Sequence, residues 1–328
     1  MKRILASITA AFILTTEFGG FSAPSVYLAN DSRRIYQAGV DAEIGQTGYI
    51  FEVPVYENAD TPDNGGVYAE IGYISARDRI MADIYANSAL SEYIAQQFVS
   101  HAEEFSLKDF PEAADISILL DALTEAYYQN NAYIGGIELN QIMCDFNTLT
   151  LRIPYVLSAD EQRLLQEDIM AEAGLIVNRI ITPGMSDYQK AEAINTYLCE
   201  SAAFDLDAKA DLLNLPRGRM ISDTYKHSQT AYGVLINRRG ICQSFAEAFK
   251  VLAGRAGLTS IVVTGVLIGY GSHAWNRANA DGRWFTLDVT NNAMSGDVNK
   301  FFNLSDEAAA EYFTEDDQYA LDSEKNRF

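Results

Sequence analysis

The chain has 328 residues, 48% of them hydrophobic, which suits one or two globular domains with a core that needs no staples. Its formal charge of −21 argues against nucleic acid and anionic membrane as partners, because both are bound through basic patches. The same acidity favours solubility and attraction to basic substrates.

The N-terminus reads as a secretory signal: Lys2-Arg3, an apolar run from Ile4 to Thr16, then the small-residue stretch Gly19-Gly20-Phe21-Ser22-Ala23. The run is shorter than the roughly 20 residues that span a bilayer. Cleavage after Ser22 is expected, giving an exported protein, secreted or at the cell surface; a retained N-terminal anchor is the alternative. Losing residues 1–22 removes Lys2, Arg3 and Glu17, so the mature chain is one unit more acidic. No other segment looks transmembrane, and no membrane insertion is expected after signal removal.

Residues 30–75 are rich in Gly, Tyr and Asn-Asp turns and fit a loop-and-strand region. Helical spacing begins near Arg77, with Ile80, Ile84, Leu90, Tyr93, Ile94 and Phe98 on one or two helices. A second helix fits Ile116 to Tyr128, and residues 147–155 alternate as a strand. Ser158 and Glu161 form a capping-box pattern opening a helix that runs to Ile181 and stops at Pro183-Gly184. Ser186-Asp187 starts the next, which ends near Ser201. Residues 23–155 are therefore read as a mixed, mainly helical accessory region, and residues 156–328 as the unit that carries the chemistry.

In that unit, Cys242 follows Gly240-Ile241 at the start of a helix whose Phe245, Ala246, Phe249, Leu252 and Ala253 share one face. A helix N-terminus offers unpaired N–H groups and a positive dipole end, and both favour thiolate. Residues 260–268 read as a buried strand. The segments 273–279 and 283–290 flank Ala280-Asp281-Gly282, a hairpin signal. With Asp281-Gly282 as a two-residue turn, Ala280 pairs with Arg283 and His273 falls opposite Thr290. His273 and Asp288 are then diagonal neighbours on one face, and Ala274, Ala278, Phe285, Leu287 and Val289 lie on the other. A thiol, an imidazole to take its proton and a carboxylate to orient the imidazole make a nucleophilic triad: Cys242, His273 and Asp288.

The other candidates are weaker. Three cysteines are an odd count for an exported chain, so at least one thiol is free or bonded between chains; Cys144 and Cys199 either pair or stay inert. Their spacing fits no zinc site, and the acidic run from Asp306 to Asp317 lacks the pattern of a calcium loop, so no metal or cofactor is expected. His227 is read as a surface-loop residue. The Cys242 N–H is one candidate oxyanion donor, with Gln229 and Tyr232 as candidates for the second.

The segments Ala231 to Asn237, Gly240-Ile-Cys-Gln243, His273-Ala-Trp-Asn276, Asp281-Gly-Arg-Trp284 and Leu287-Asp-Val-Thr290 resemble the transglutaminase-like superfamily, particularly its exported bacterial members. The resemblance covers roughly residues 185–305. It implies an α+β fold of papain-like type, with the nucleophile on a helix N-terminus packed on an antiparallel sheet. It also implies Cys-His-Asp chemistry on protein or peptide amides, including those of the cell surface. Papain-like proteases place their histidine over a hundred residues after the cysteine, whereas here it follows by 31. Similar sequences usually have Gly where Ser244 stands; serine is small enough to be tolerated there, at the risk of a narrower groove beside the thiol. A cysteine peptidase and a non-catalytic binding module with a relic triad are the alternatives.

Overall fold

The computed structural model describes residues 6–7, 80–81, 83–214 and 223–316. Most of the predicted signal and residues 30–75 lie outside them. Two described residues near the N-terminus, strand β1 (Ala6–Ser7), pair antiparallel with Cys144 and Met143. No helix among the described residues is long and apolar enough to cross a membrane.

The N-terminal part is built on helices α1 (Ala89–Val99) and α2 (Ile116–Asn130), packed beside three short antiparallel strands, β2 (Glu104–Ser106), β3 (Met143–Asp145) and β4 (Thr150–Arg152). Leu90, Ile94, Phe98, Leu119, Leu123, Tyr127 and Leu151 close a core of their own there. Cys144 lies within it as a free thiol, its pKa pushed up to about 11 by burial.

Long helices follow, and their starts match the sequence pattern. Ser158 caps α3 (Ala159–Ile180) in a full capping box with Glu161. Ser186 does the same with Gln189 for α4 (Asp187–Ser201). Each cap contributes about 1 kcal/mol. After β5 (Ala203–Phe204) come α5 (Leu206–Leu213), α6 (Ala231–Leu235) and β6 (Arg239–Gly240), which pairs in parallel with β5.

Helix α7 (Cys242–Arg255) is the centre of the molecule. Phe245, Ala248, Phe249, Val251, Leu252 and Ala253 are all buried, so it is apolar on nearly every side. It packs against α3, α4 and α6 and against the sheet formed by β7 (Thr259–Leu267), β8 (Gly271–Ala280) and β9 (Arg283–Leu287). Strand β10 (Phe313–Glu315) completes an antiparallel sheet of order β10-β7-β8-β9. This is the expected α+β layout.

The β8–β9 hairpin has the predicted register, Ala280 opposite Arg283, with Asp281 (φ 54°) and Gly282 (φ 80°) both left-handed as a type I′ turn requires. Ala274, Ala278, Phe285, Leu287 and Val289 are buried on one side as the alternation predicts. Pairing ends at Asn276–Leu287, however, so His273 has no partner in Thr290. Asp288 instead becomes the N-cap of α8 (Val289–Ser295), its side chain accepting the Asn291 N–H.

The two parts are tied by buried polar side chains at the end of α2. Gln129 receives the Val262 N–H (3.0 Å) and donates to the Val262 carbonyl (2.8 Å), acting as a one-residue strand on the edge of β7 that β10 leaves open. Two residues on, Asn131 donates to Glu247 of α7 at 2.8 Å. Glu247 also accepts from Gln243 Nε2 (2.8 Å) and the Ala231 N–H (2.9 Å). A carboxyl group that accepts from three donors, a little over one turn behind Cys242, thus joins α2, α6 and α7.

Candidate active site

Cys242 is the first residue of α7, where the backbone N–H has no partner within the helix. Its thiol is 2% exposed and packs against Ala246, Val262 and Ala274. The position is set by neighbouring glycines: a Cβ at Gly240 would overlap Ser244, lying 2.5 Å from its Cβ. Ser244 is wholly buried, donates to the Thr230 carbonyl and receives the Val234 N–H. It therefore braces the segment before the nucleophile, with its hydroxyl engaged on that side.

His273 lies near the start of β8, 6% exposed, in a stack of rings with Trp275 and Phe313. Its Nε2 donates to Asp288 Oδ2 at 2.6 Å. With Nε2 engaged by the carboxylate, the other ring nitrogen is the one available to the Cys242 sulfur, which is close enough for the two groups to shift each other's proton affinity. The three predicted residues are thus brought together, Asp288 by its place at the strand-to-helix junction rather than by continued strand pairing.

The electrostatics follow from this arrangement. Burial alone would raise the Cys242 thiol, but the hydrogen bond and charge of His273, together with Lys209 and the Ala274 N–H, outweigh it and hold the thiol below its ordinary value. Burial would lower His273, and the adjoining Asp288 carboxylate and Cys242 overcome that and raise it. Both shifts act in favour of a thiolate beside an imidazolium. Lys209, half-buried on α5, adds a positive charge that acts on the sulfur in the same direction.

The remaining sequence candidates stand apart. Cys199 on α4 is a free, half-buried thiol whose Sγ is 3.7 Å from the Val289 carbonyl; burial pushes it up to about 12, so it is not an activated nucleophile. It does not pair with Cys144. His227, expected on the surface, is half-buried with its ring 4.5 Å from that of Tyr232. Tyr232 is half-buried, and burial together with the neighbouring Asp168 carboxylate raises its hydroxyl above the ordinary value. Gln229 is buried at 2% exposure in the segment preceding α6. Among the described residues no cluster of His, Cys, Asp or Glu has the arrangement of a metal site. Asn291, Glu247 and Lys209 went unnoticed in the sequence, since each acts only through neighbours distant in the chain or turned towards it by a helix cap.

A family model described as the transglutaminase-like superfamily matches residues 175–289, a range that contains Cys242, His273 and Asp288. No curated protein matches. Among solved structures, one described as a TGase is 21% identical over 40% of this chain and 32% of its own, with a TM-score of 0.32. A second, described as a putative cysteine protease from Cytophaga hutchinsonii, is 20% identical over 38% of this chain and 37% of its own, with a TM-score of 0.27. The chain spans only about a third of the length of either. It is to the core of the transglutaminase-like superfamily that residues 175–289 of this chain are similar.

Proposed function

We propose that the protein is a thiol enzyme that transfers or hydrolyses the acyl group of protein or peptide amides, with Cys242 as nucleophile, His273 as base and acid, and Asp288 as its orienting carboxylate. The superfamily supports a cysteine-dependent enzyme in general. The observation that carries the finer reading is the 2.6 Å bond from His273 Nε2 to Asp288, with the Cys242 thiol close enough to the imidazole for each to shift the other's proton affinity.

The thiolate sulfur attacks the amide carbonyl, forming a C–S bond and an oxyanion. The Cys242 N–H at the helix start is one donor to that oxygen. Collapse breaks the C–N bond while His273 passes its proton to the departing amine or ammonia, leaving a thioester. A second nucleophile, an amine or water, gives its proton to the neutral imidazole and releases the acyl group. An amine yields an isopeptide or substituted amide; water yields a cleaved peptide or deamidated side chain. Export through the N-terminal signal is part of the same reading and puts the substrates outside the cell or on its surface.

The test is incubation of the mature protein with a surface-protein extract and a labelled primary amine. Label entering protein identifies transfer, and new fragments or released ammonia identify hydrolysis. Cys242→Ala removes either activity with the fold intact; turnover retained by that variant rejects the assignment.

A further inference from the structure

Asp288 receives more hydrogen bonds than a helix cap requires. Oδ1 accepts the Asn291 N–H at 3.0 Å, the ordinary N-cap bond. Oδ2 accepts two donors, His273 Nε2–H at 2.6 Å and the Asn291 carboxamide Nδ2–H at 2.6 Å. The two donor nitrogens are 3.5 Å apart, so both converge on one oxygen. In a capping box the third helical residue turns its side chain back to the cap's own N–H; Asn291 occupies that place and turns to the carboxylate instead. Asp288 is fully buried and Asn291 half-buried.

We propose that Asn291 is a positioning residue for the Cys242–His273 pair, its carboxamide fixing the Asp288 carboxylate in the orientation that receives the imidazole. This rests on the thiol acyl-transfer reading above. Held by the backbone N–H alone, the carboxylate pivots about Oδ1 and carries Oδ2 with it. The Nδ2–H tether removes that freedom. Because the imidazole takes its direction from Oδ2, a swing there moves the opposite ring nitrogen away from sulfur, and the thiolate loses its partner. A side chain that merely filled space would leave the proton affinity of the thiol untouched.

The experiment is the rate of iodoacetamide alkylation against pH, read at the Cys242 peptide by mass spectrometry so that Cys144 and Cys199 do not contribute. It compares the full chain with Asn291→Ala, Asn291→Leu, Asn291→Gln and His273→Ala. Loss of the donor in Asn291→Ala raises the midpoint by about one pH unit, so the rate at pH 6 falls about tenfold. Asn291→Leu keeps the bulk without the donor and shows the same shift, which preserves the test if the alanine variant does not fold. Asn291→Gln, with a donor on a longer arm, recovers most of the loss. A midpoint unmoved in the leucine variant, or lowered because Oδ2 then serves the imidazole alone, overturns the proposal. If His273→Ala itself leaves the profile unchanged, the thiol reading falls and the proposal with it. If His273→Ala moves the profile and Asn291→Leu does not, only the role of Asn291 is lost.

Discussion

Replacing Glu247 with glutamine removes a pH dependence of stability that the buried carboxylate creates. Glu247 is 2% exposed, and burial pushes its pKa from 4.5 up to about 7, against the donors Gln243, Asn131 and Ala231 and the charge of Lys250. The folded protein therefore holds a proton at Glu247 that the unfolded chain releases near 4.5. Its stabilising contribution is complete below that value and is lost as pH rises through about 7. The full difference is about 3 kcal/mol at ~1.36 kcal/mol per pH unit. About 2 kcal/mol of it falls between roughly pH 5.5 and 7.5, a window above the isoelectric region and below the Lys250 titration near 8. For a chain of 328 residues, whose unfolding entropy is about 0.7 kcal/mol/K, that is roughly 3 °C in melting temperature. The assay is thermal unfolding of both proteins across that window. The wild type should lose stability with rising pH by this amount relative to Glu247→Gln; any constant offset from rearranged amides does not matter. A difference between the two proteins that stays flat across the window would refute the buried-carboxylate argument.

Other expectations follow from the same geometry. With the thiol lowered and the imidazole raised, the thiolate–imidazolium pair persists from below the usual thiol range up to the raised imidazole value. Cys242 alkylation should therefore stay fast as pH falls below 8 and slow in His273→Ala; a midpoint near the free-thiol value of about 8.5 contradicts it. Gln129→Ala strips the Val262 N–H and carbonyl of their side-chain partner and should cost about 2–4 kcal/mol in urea unfolding. A loss below half a kcal/mol would mean that water replaces the glutamine. Gly240→Ala forces a methyl into Ser244 and should destabilise by about 1–3 kcal/mol. Adding Ser244→Gly should relieve part of that loss, and strictly additive effects in the double-mutant cycle would count against a direct clash.

Local chemistry was legible in the sequence, and long-range polar contacts were not. Ser158, Ser186 and the Asp281-Gly282 turn are each decided within four residues, so their caps and register could be read directly. Cys242 at a helix start was equally plain, because Gly240 precedes it and the apolar face follows. Asp288 was read as a strand residue since Leu287-Asp-Val-Thr290 continues the alternation of β9, although Asp followed three residues later by Asn291 also fits a cap. The competing signal won once the chain left the sheet. Gln129, Asn131 and Glu247 look like ordinary polar residues on helices, and only the approach of α2 to β7 and α7 reveals their buried partners. Ser244 stands out in the sequence only as a departure, because its bonds to Thr230 and Val234 depend on a turn with no sequence signature.

The two duties of Asp288 bear on how this position drifts when chemistry is no longer selected. Helix α8 accepts Asp, Asn, Ser or Thr as its cap at nearly equal free energy. Only Asp adds the negative charge that His273 requires. A lineage that abandoned the thiol reaction would be free to exchange Asp for its three capping equivalents, yet constrained against everything else. The side chain found here in descendants and relatives is thus a two-level record: any capping residue reports a maintained fold, and aspartate paired with histidine at 273 reports a maintained charge.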